Sequence, residues 1–170
     1  MIPKEFIEYK LKELKSTSQK PVDFKSDKDL ADFIFQIVMS KKFRKYKVTP
    51  DDYLNHIKGA IDSSIKNNLP IKFLFPFGGY KLWRLEEAPE ADWAELFSMM
   101  YFAKWLKPIT EVYKPGVHFD FSSDDIVVER LNNIPKSDTE SYTKSFWLVV
   151  NFLEKYLPNN FKFTFTPVSS

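Results

Sequence analysis

The chain contains no cysteine. That excludes a disulfide framework, thiolate metal sites and a cysteine nucleophile, and makes an intracellular compartment the default expectation. No apolar stretch is long enough to span a bilayer. The N-terminus, MIPKEFIEYKLKELK, alternates charge with hydrophobe instead of forming the apolar core of a signal peptide, so the chain reads as soluble and cytoplasmic. Charge of one sign is also scarce: a net +2 is too small to point to nucleic acid. The basic cluster Lys41-Lys42-Phe43-Arg44-Lys45-Tyr46-Lys47 falls where a helix C-terminus favours cations anyway. A nucleophile elbow, a Walker loop, a dinucleotide fingerprint and paired metal-ligand spacing are all missing, which weakens the familiar hydrolase and kinase readings. With no internal repeat, low-complexity tract or domain boundary, residues 1–170 read as a single α/β domain able to bury about two thirds of its unfolded surface.

Aromatic residues, by contrast, make up 17% of the chain, which implies a bulky core and a stacking pocket. Phe6, Ile7, Leu11 and Leu14 mark a first amphipathic helix, and with the following Ser16-Thr17-Ser18 they make residues 1–25 a loosely docked helical arm. Ser26 with Asp29 opens a second helix, whose face is Leu30, Phe33, Ile34, Ile37 and Val38. Thr49 and Pro50 open a third, with Tyr53, Leu54, Ile57 and Ile61 turned inward, His56 in solvent and Asn67-Asn68 as the stop. A fourth starts near Pro89 with Glu90 and Asp92 at its positive end, and Pro108 should kink or restart it before Tyr113. The last begins at Ser137, where Glu140 completes a capping box, and carries Tyr142, Phe146, Val149, Val150, Leu153 and Leu157 on one stripe.

Ile71, Phe73, Leu74 and Phe75, bounded by Pro70 and Pro76, predict a short strand buried on both faces and innermost in its sheet. Val117, Phe119 and Phe121 alternate with His118, Asp120 and Ser122, and Phe161, Phe163 and Phe165 alternate with Lys162, Thr164 and Thr166, so two further strands each have one apolar and one polar face. Ile126 to Leu131 is expected as a short ribbon after the Ser122-Ser123-Asp124-Asp125 turn. The pattern is an α/β, Rossmann-like fold: a small, mostly parallel sheet flanked by helices, with a helical N-terminal region.

In open α/β sheets ligands bind beyond the carboxyl ends of the strands. The residues after Phe75 are therefore the candidate binding loop: Gly78 and Gly79 admit close backbone approach, Lys81 and Arg84 suit phosphate or carboxylate, and Tyr80 and Trp83 offer flat apolar walls. Two other constellations carry chemistry. His118 and Asp120 share a strand face and can form an oriented acid-base pair. Asp124 and Asp125 either form a turn or hold Mg²⁺ in the manner of nucleotide-sugar transferases.

Three blocks carry a resemblance: Leu69-Pro70-Ile71-Lys72-Phe73-Leu74-Phe75-Pro76-Phe77, Pro89-Glu90-Ala91-Asp92-Trp93-Ala94-Glu95-Leu96, and Val112-Tyr113-Lys114-Pro115-Gly116 leading to Ser123-Asp124. In order and spacing they resemble the isocyanide (isonitrile) synthase family, also called the pyoverdine and dityrosine biosynthesis family, and Asp138 with Tyr142 matches its acidic-x-x-x-Tyr helix. The resemblance implies a Rossmann-like enzyme that converts the amino group of tyrosine or tryptophan into an isocyano group, with ribulose 5-phosphate as carbon source and without metal, nucleotide or other cofactor. It implies a small-molecule substrate and neither nucleic acid nor membrane as partner. Lys81, Asp124 and His118 are then the candidate catalytic residues, with Gly78, Gly79, Tyr80, Lys81, Trp83, Arg84, Ser123 and Asp124 binding substrate. The chain departs from the pattern in two places. The family's K-S-P-N after the first strand is replaced by Gly78-Gly79-Tyr80-Lys81, and the family's long C-terminal half, with a T-P-W-H-like segment, has no counterpart before Ser170. The expected alternatives are a diverged relative, an incomplete enzyme, a non-catalytic anion-binding or interaction module, and a metal-dependent transferase using Asp124 and Asp125.

Overall fold

The computed structural model describes residues 4–15, 22–40, 51–77 and 90–167. Their elements run α1 (Lys4–Lys15), α2 (Asp27–Val38), α3 (Asp51–Lys66), β1 (Ile71–Phe77), α4 (Trp93–Val112), β2 (Val117–Ser123), α5 (Asp125–Leu131), α6 (Lys136–Glu154) and β3 (Phe161–Pro167). The class is α/β: a small, all-parallel, three-stranded sheet with helices. Thr49, Pro50 and the segment 78–89 lie outside the described residues.

Local chemistry sets the helix ends. The Ser26 hydroxyl accepts from the Asp29 amide at 3.2 Å to open α2. Asn68, at φ 53°, takes the left-handed conformation that stops α3. Asp92 and Glu95 form a reciprocal capping box at the start of α4: the Asp92 amide donates to the Glu95 carboxylate at 2.7 Å, and Asp92 Oδ1 also accepts from the Ala94 amide at 2.7 Å. Several expectations fail. Helix α4 continues through Pro108 without restarting, with Leu106 and Ile109, both fully buried, on either side of the proline. Residues 126–131 are helical, not a ribbon: α5 starts directly from Asp125, where a carboxylate favours a first turn. Helix α6 begins at Lys136, which places Ser137 inside its first turn. Pro135 is the N-cap without a side-chain bond, and the Ser137 hydroxyl meets Asp138 instead. Tyr53, expected inside, is 63% exposed.

The strand order is β1-β2-β3, so the Ile71 strand is an edge and β2 is the centre. The register aligns Ile71 with Val117 and Phe161, and Phe77 with Ser123 and Pro167. One face therefore carries Ile71, Phe73, Phe75, Val117, Phe119, Phe121, Phe161, Phe163 and Phe165. Helices α4 and α6 cover it through aromatic contacts: Phe102 stacks on Phe119 at 4.5 Å, and Phe146 meets Phe165 at 4.5 Å and Phe121 at 5.3 Å. Each such ring contributes about 1.5 to 3 kcal/mol on burial. The edge position exposes what the apolar run of β1 conceals, since Leu74, on the opposite face, is 69% exposed.

The amino end of the sheet is clamped. Gly116, at φ 72°, lies so close to Asn160 that a Cβ there would sit 1.8 Å from its carbonyl oxygen. The Asn160 side-chain amide donates to the carbonyls of Thr110 and Tyr113, and its backbone carbonyl accepts from Val117. Farther out, α1 docks on α4: Leu11 and Leu14 are buried, and the Lys107 ammonium donates to the Glu13 carbonyl at 3.2 Å.

Candidate functional site

At the opposite, carboxyl end of the sheet, Ser123 closes β2 and Asp124 forms the junction to α5. A carboxylate in that place ordinarily caps the first helical turn. Here Asp124 Oδ1 is buried and makes no hydrogen bond. A buried acceptor left unpaired costs about 1 to 3 kcal/mol. A surface cavity of about 340 Å³ is lined by the next residue, Asp125, with Glu129, Lys136, Thr139, Lys144 and Pro167 among others; Asp124 itself does not line it. The Thr139 hydroxyl is fixed between the Glu129 carboxylate and the Lys136 carbonyl. The three strands advance in one direction across the sheet, so they contain no reversal of order of the kind that opens a crevice in doubly wound folds.

His118 stands elsewhere. It lies near the amino end of β2, roughly 20 Å of extended strand from Asp124, so one molecule of amino-acid size does not touch both. Its expected pairing with Asp120 is indirect. His118 Nε2 lies 2.8 Å from the Thr164 hydroxyl, which donates to Asp120 Oδ1, and the Thr166 hydroxyl donates to the same oxygen at 3.0 Å. Thr164 has one hydrogen and gives it to the carboxylate, so its oxygen accepts from His118, and Nε2 carries the proton. In the neutral ring Nδ1 is then an acceptor without a partner. Partial burial lowers the His118 pKa; Asp120 opposes that, and Lys162 and Lys72 add to it.

The remaining candidates, Gly78, Gly79, Tyr80, Lys81, Trp83 and Arg84, lie outside the described residues. Asp124 and Asp125 are adjacent as the sequence requires, yet among the described residues no group of three His, Asp or Glu side chains is placed to hold a metal ion. Sequence reasoning missed Thr164 and Thr166 as partners of the His118 and Asp120 face. Their alternation with Phe163 and Phe165 was the available signal, but only the register of β2 against β3 brings them together. It also missed the buried Glu95, whose carboxylate accepts from Tyr142 Oη at 3.1 Å while capping α4. No protein-family model matches the chain, and no curated protein or solved structure matches it either.

Proposed function

We propose that the carboxyl end of the sheet binds a small molecule bearing an ammonium group, and that the chain is an isocyanide-synthase-like enzyme or a diverged relative acting on an aromatic amino acid and a sugar phosphate. The observation that carries this reading is the unpartnered, buried Asp124 Oδ1 at the end of the central strand. A substrate ammonium supplies what that oxygen lacks, a charged donor in a site shielded from water. On this reading Asp124 orients the amino group, Ser123 adds a hydroxyl beside it, and Lys81 and Arg84 hold carboxylate or phosphate.

Calorimetry without added metal tests it with tyrosine, with the analogue in which hydrogen replaces the amino group, and with ribulose 5-phosphate. The wild-type chain should bind tyrosine, and Asp124→Asn should weaken that binding by about tenfold or more. The deaminated analogue should bind both proteins alike. Without ligand, Asp124→Asn should change stability by no more than about 1 kcal/mol, because the carboxamide keeps the shape of the half-buried side chain. Equal binding of tyrosine and its deaminated analogue by wild type, or no binding of tyrosine or the sugar phosphate, would refute the reading. Binding of a nucleotide sugar that requires Mg²⁺ or Mn²⁺ and is abolished in Asp124→Asn would replace it with the transferase.

A further inference from the structure

Both crossovers, β1 to β2 through α4 and β2 to β3 through α6, carry the chain the same way across the sheet. Connections of one hand then place their helices on one face, as the contacts of Phe102 and Phe146 show. The second face carries Lys72, Leu74 and Pro76 from β1, His118, Asp120 and Ser122 from β2, and Lys162, Thr164 and Thr166 from β3. All-parallel sheets are almost always covered on both faces. Among the described residues this second face is left open, with Lys72, Leu74, Lys162 and Thr166 exposed.

The register also makes a row. Lys72, His118 and Lys162 stand side by side, about 4.8 Å apart from strand to strand. The two lysines flank His118, two strand spacings apart, and among the described residues neither forms an ion pair with a carboxylate. The next row holds Leu74, Asp120 and Thr164, in which Asp120 is engaged by the two threonine hydroxyls. The face thus offers two lysines at its outer strands, an exposed leucine and, between them, a carboxylate held by two hydroxyls.

We propose that this face docks an amphipathic helix of a partner protein, whose carboxylates meet Lys72 and Lys162 and whose apolar side chain covers Leu74. A pleated sheet face with these side chains exposed suits a macromolecular element better than a small ligand, which binds in concave sites. Its width, two strand spacings or about 10 Å, is that of one helix, the element that normally covers a parallel sheet. The positive row selects acidic residues on that helix and steers its approach.

The probe is a synthetic alanine-based helix of roughly 20 residues with one stripe of glutamates and one of leucines, compared with the same helix carrying glutamines or lysines. Fluorescence anisotropy with the full chain should show salt-sensitive binding of the glutamate helix, and binding about tenfold weaker for the glutamine helix. The double variant Lys72→Glu with Lys162→Glu should lose the glutamate helix and gain the lysine helix, a reversal that a misfolded protein does not produce. The proposal is overturned if wild type fails to bind the glutamate helix, if the double variant retains it, or if a single-stranded oligonucleotide binds wild type more tightly. Sedimentation showing self-association that the double variant abolishes would assign the face to a second copy of the chain and overturn it as well.

Discussion

The two faces of the sheet are made from the same three strands and differ in almost every physical respect. Between Ile71 or Val117 at one end and Ser123 and Pro167 at the other, the helix-covered face is phenylalanine, and its central rings are excluded from solvent. The other face is held by hydrogen bonds among His118, Thr164, Asp120 and Thr166, and remains half in water. Burial on the first face provides stability without chemical specificity. The second contributes little to stability, yet its register fixes a histidine tautomer and a row of cations. Adjacent residues of β3 can therefore play opposite roles.

Phe163 and Thr164 are the sharpest pair for testing that contrast. Phe163→Ala, which empties a fully buried position touching Phe119, Phe121 and Phe161, should cost about 3 to 5 kcal/mol in urea unfolding. Thr164→Val keeps the shape and breaks the relay, and should cost about 1 kcal/mol. Equal losses would mean that the polar face carries as much of the fold as the aromatic one. A smaller effect comes from His118. Its pKa is lower in the folded chain than the roughly 6.5 of the unfolded one, so the unfolded state binds the proton more readily. The contribution is complete above about pH 6.5 and is lost as pH falls from there through the folded value. The difference in unfolding midpoint between wild type and His118→Gln should therefore shift between about pH 8 and pH 5 in the direction of a wild type weakened at low pH. A difference independent of pH would remove His118 from that role.

What the sequence made legible was mostly one-dimensional. Strict alternation in Val117 to Ser122 and in Phe161 to Thr166 predicts both strands and their faces, and Ser26 and Asp92 mark helix starts by chemistry confined to one turn. Errors arose where a distant partner decides. The β1 run reads as doubly buried because Leu74 is apolar, and only strand order shows it at an edge. Pro108 reads as a break until the burial of Leu106 and Ile109 is known. Ile126 and its valine neighbours read as strand formers, but among the described residues no strand pairs with them, and the carboxylate of Asp125 starts a helix. For the candidate site, Asp124 was found from its place after a strand, whereas its missing hydrogen bond required coordinates. His118 and Asp120 were grouped correctly on one face, and the threonine between them was invisible without register.

Parallel register has a consequence for how the molecule is made. Neither strand pair can close as a hairpin, since each partner waits for an intervening helix to be synthesised and laid across the sheet. Loop-closure entropy is spent before either ladder returns anything. When β1 and β2 have met, Phe119 and Phe121 still lack Phe163 and Phe165 beside them. A nascent chain therefore presents an incomplete phenylalanine surface until β3 docks, and that interval is when it is most open to aggregation and to capture by chaperones.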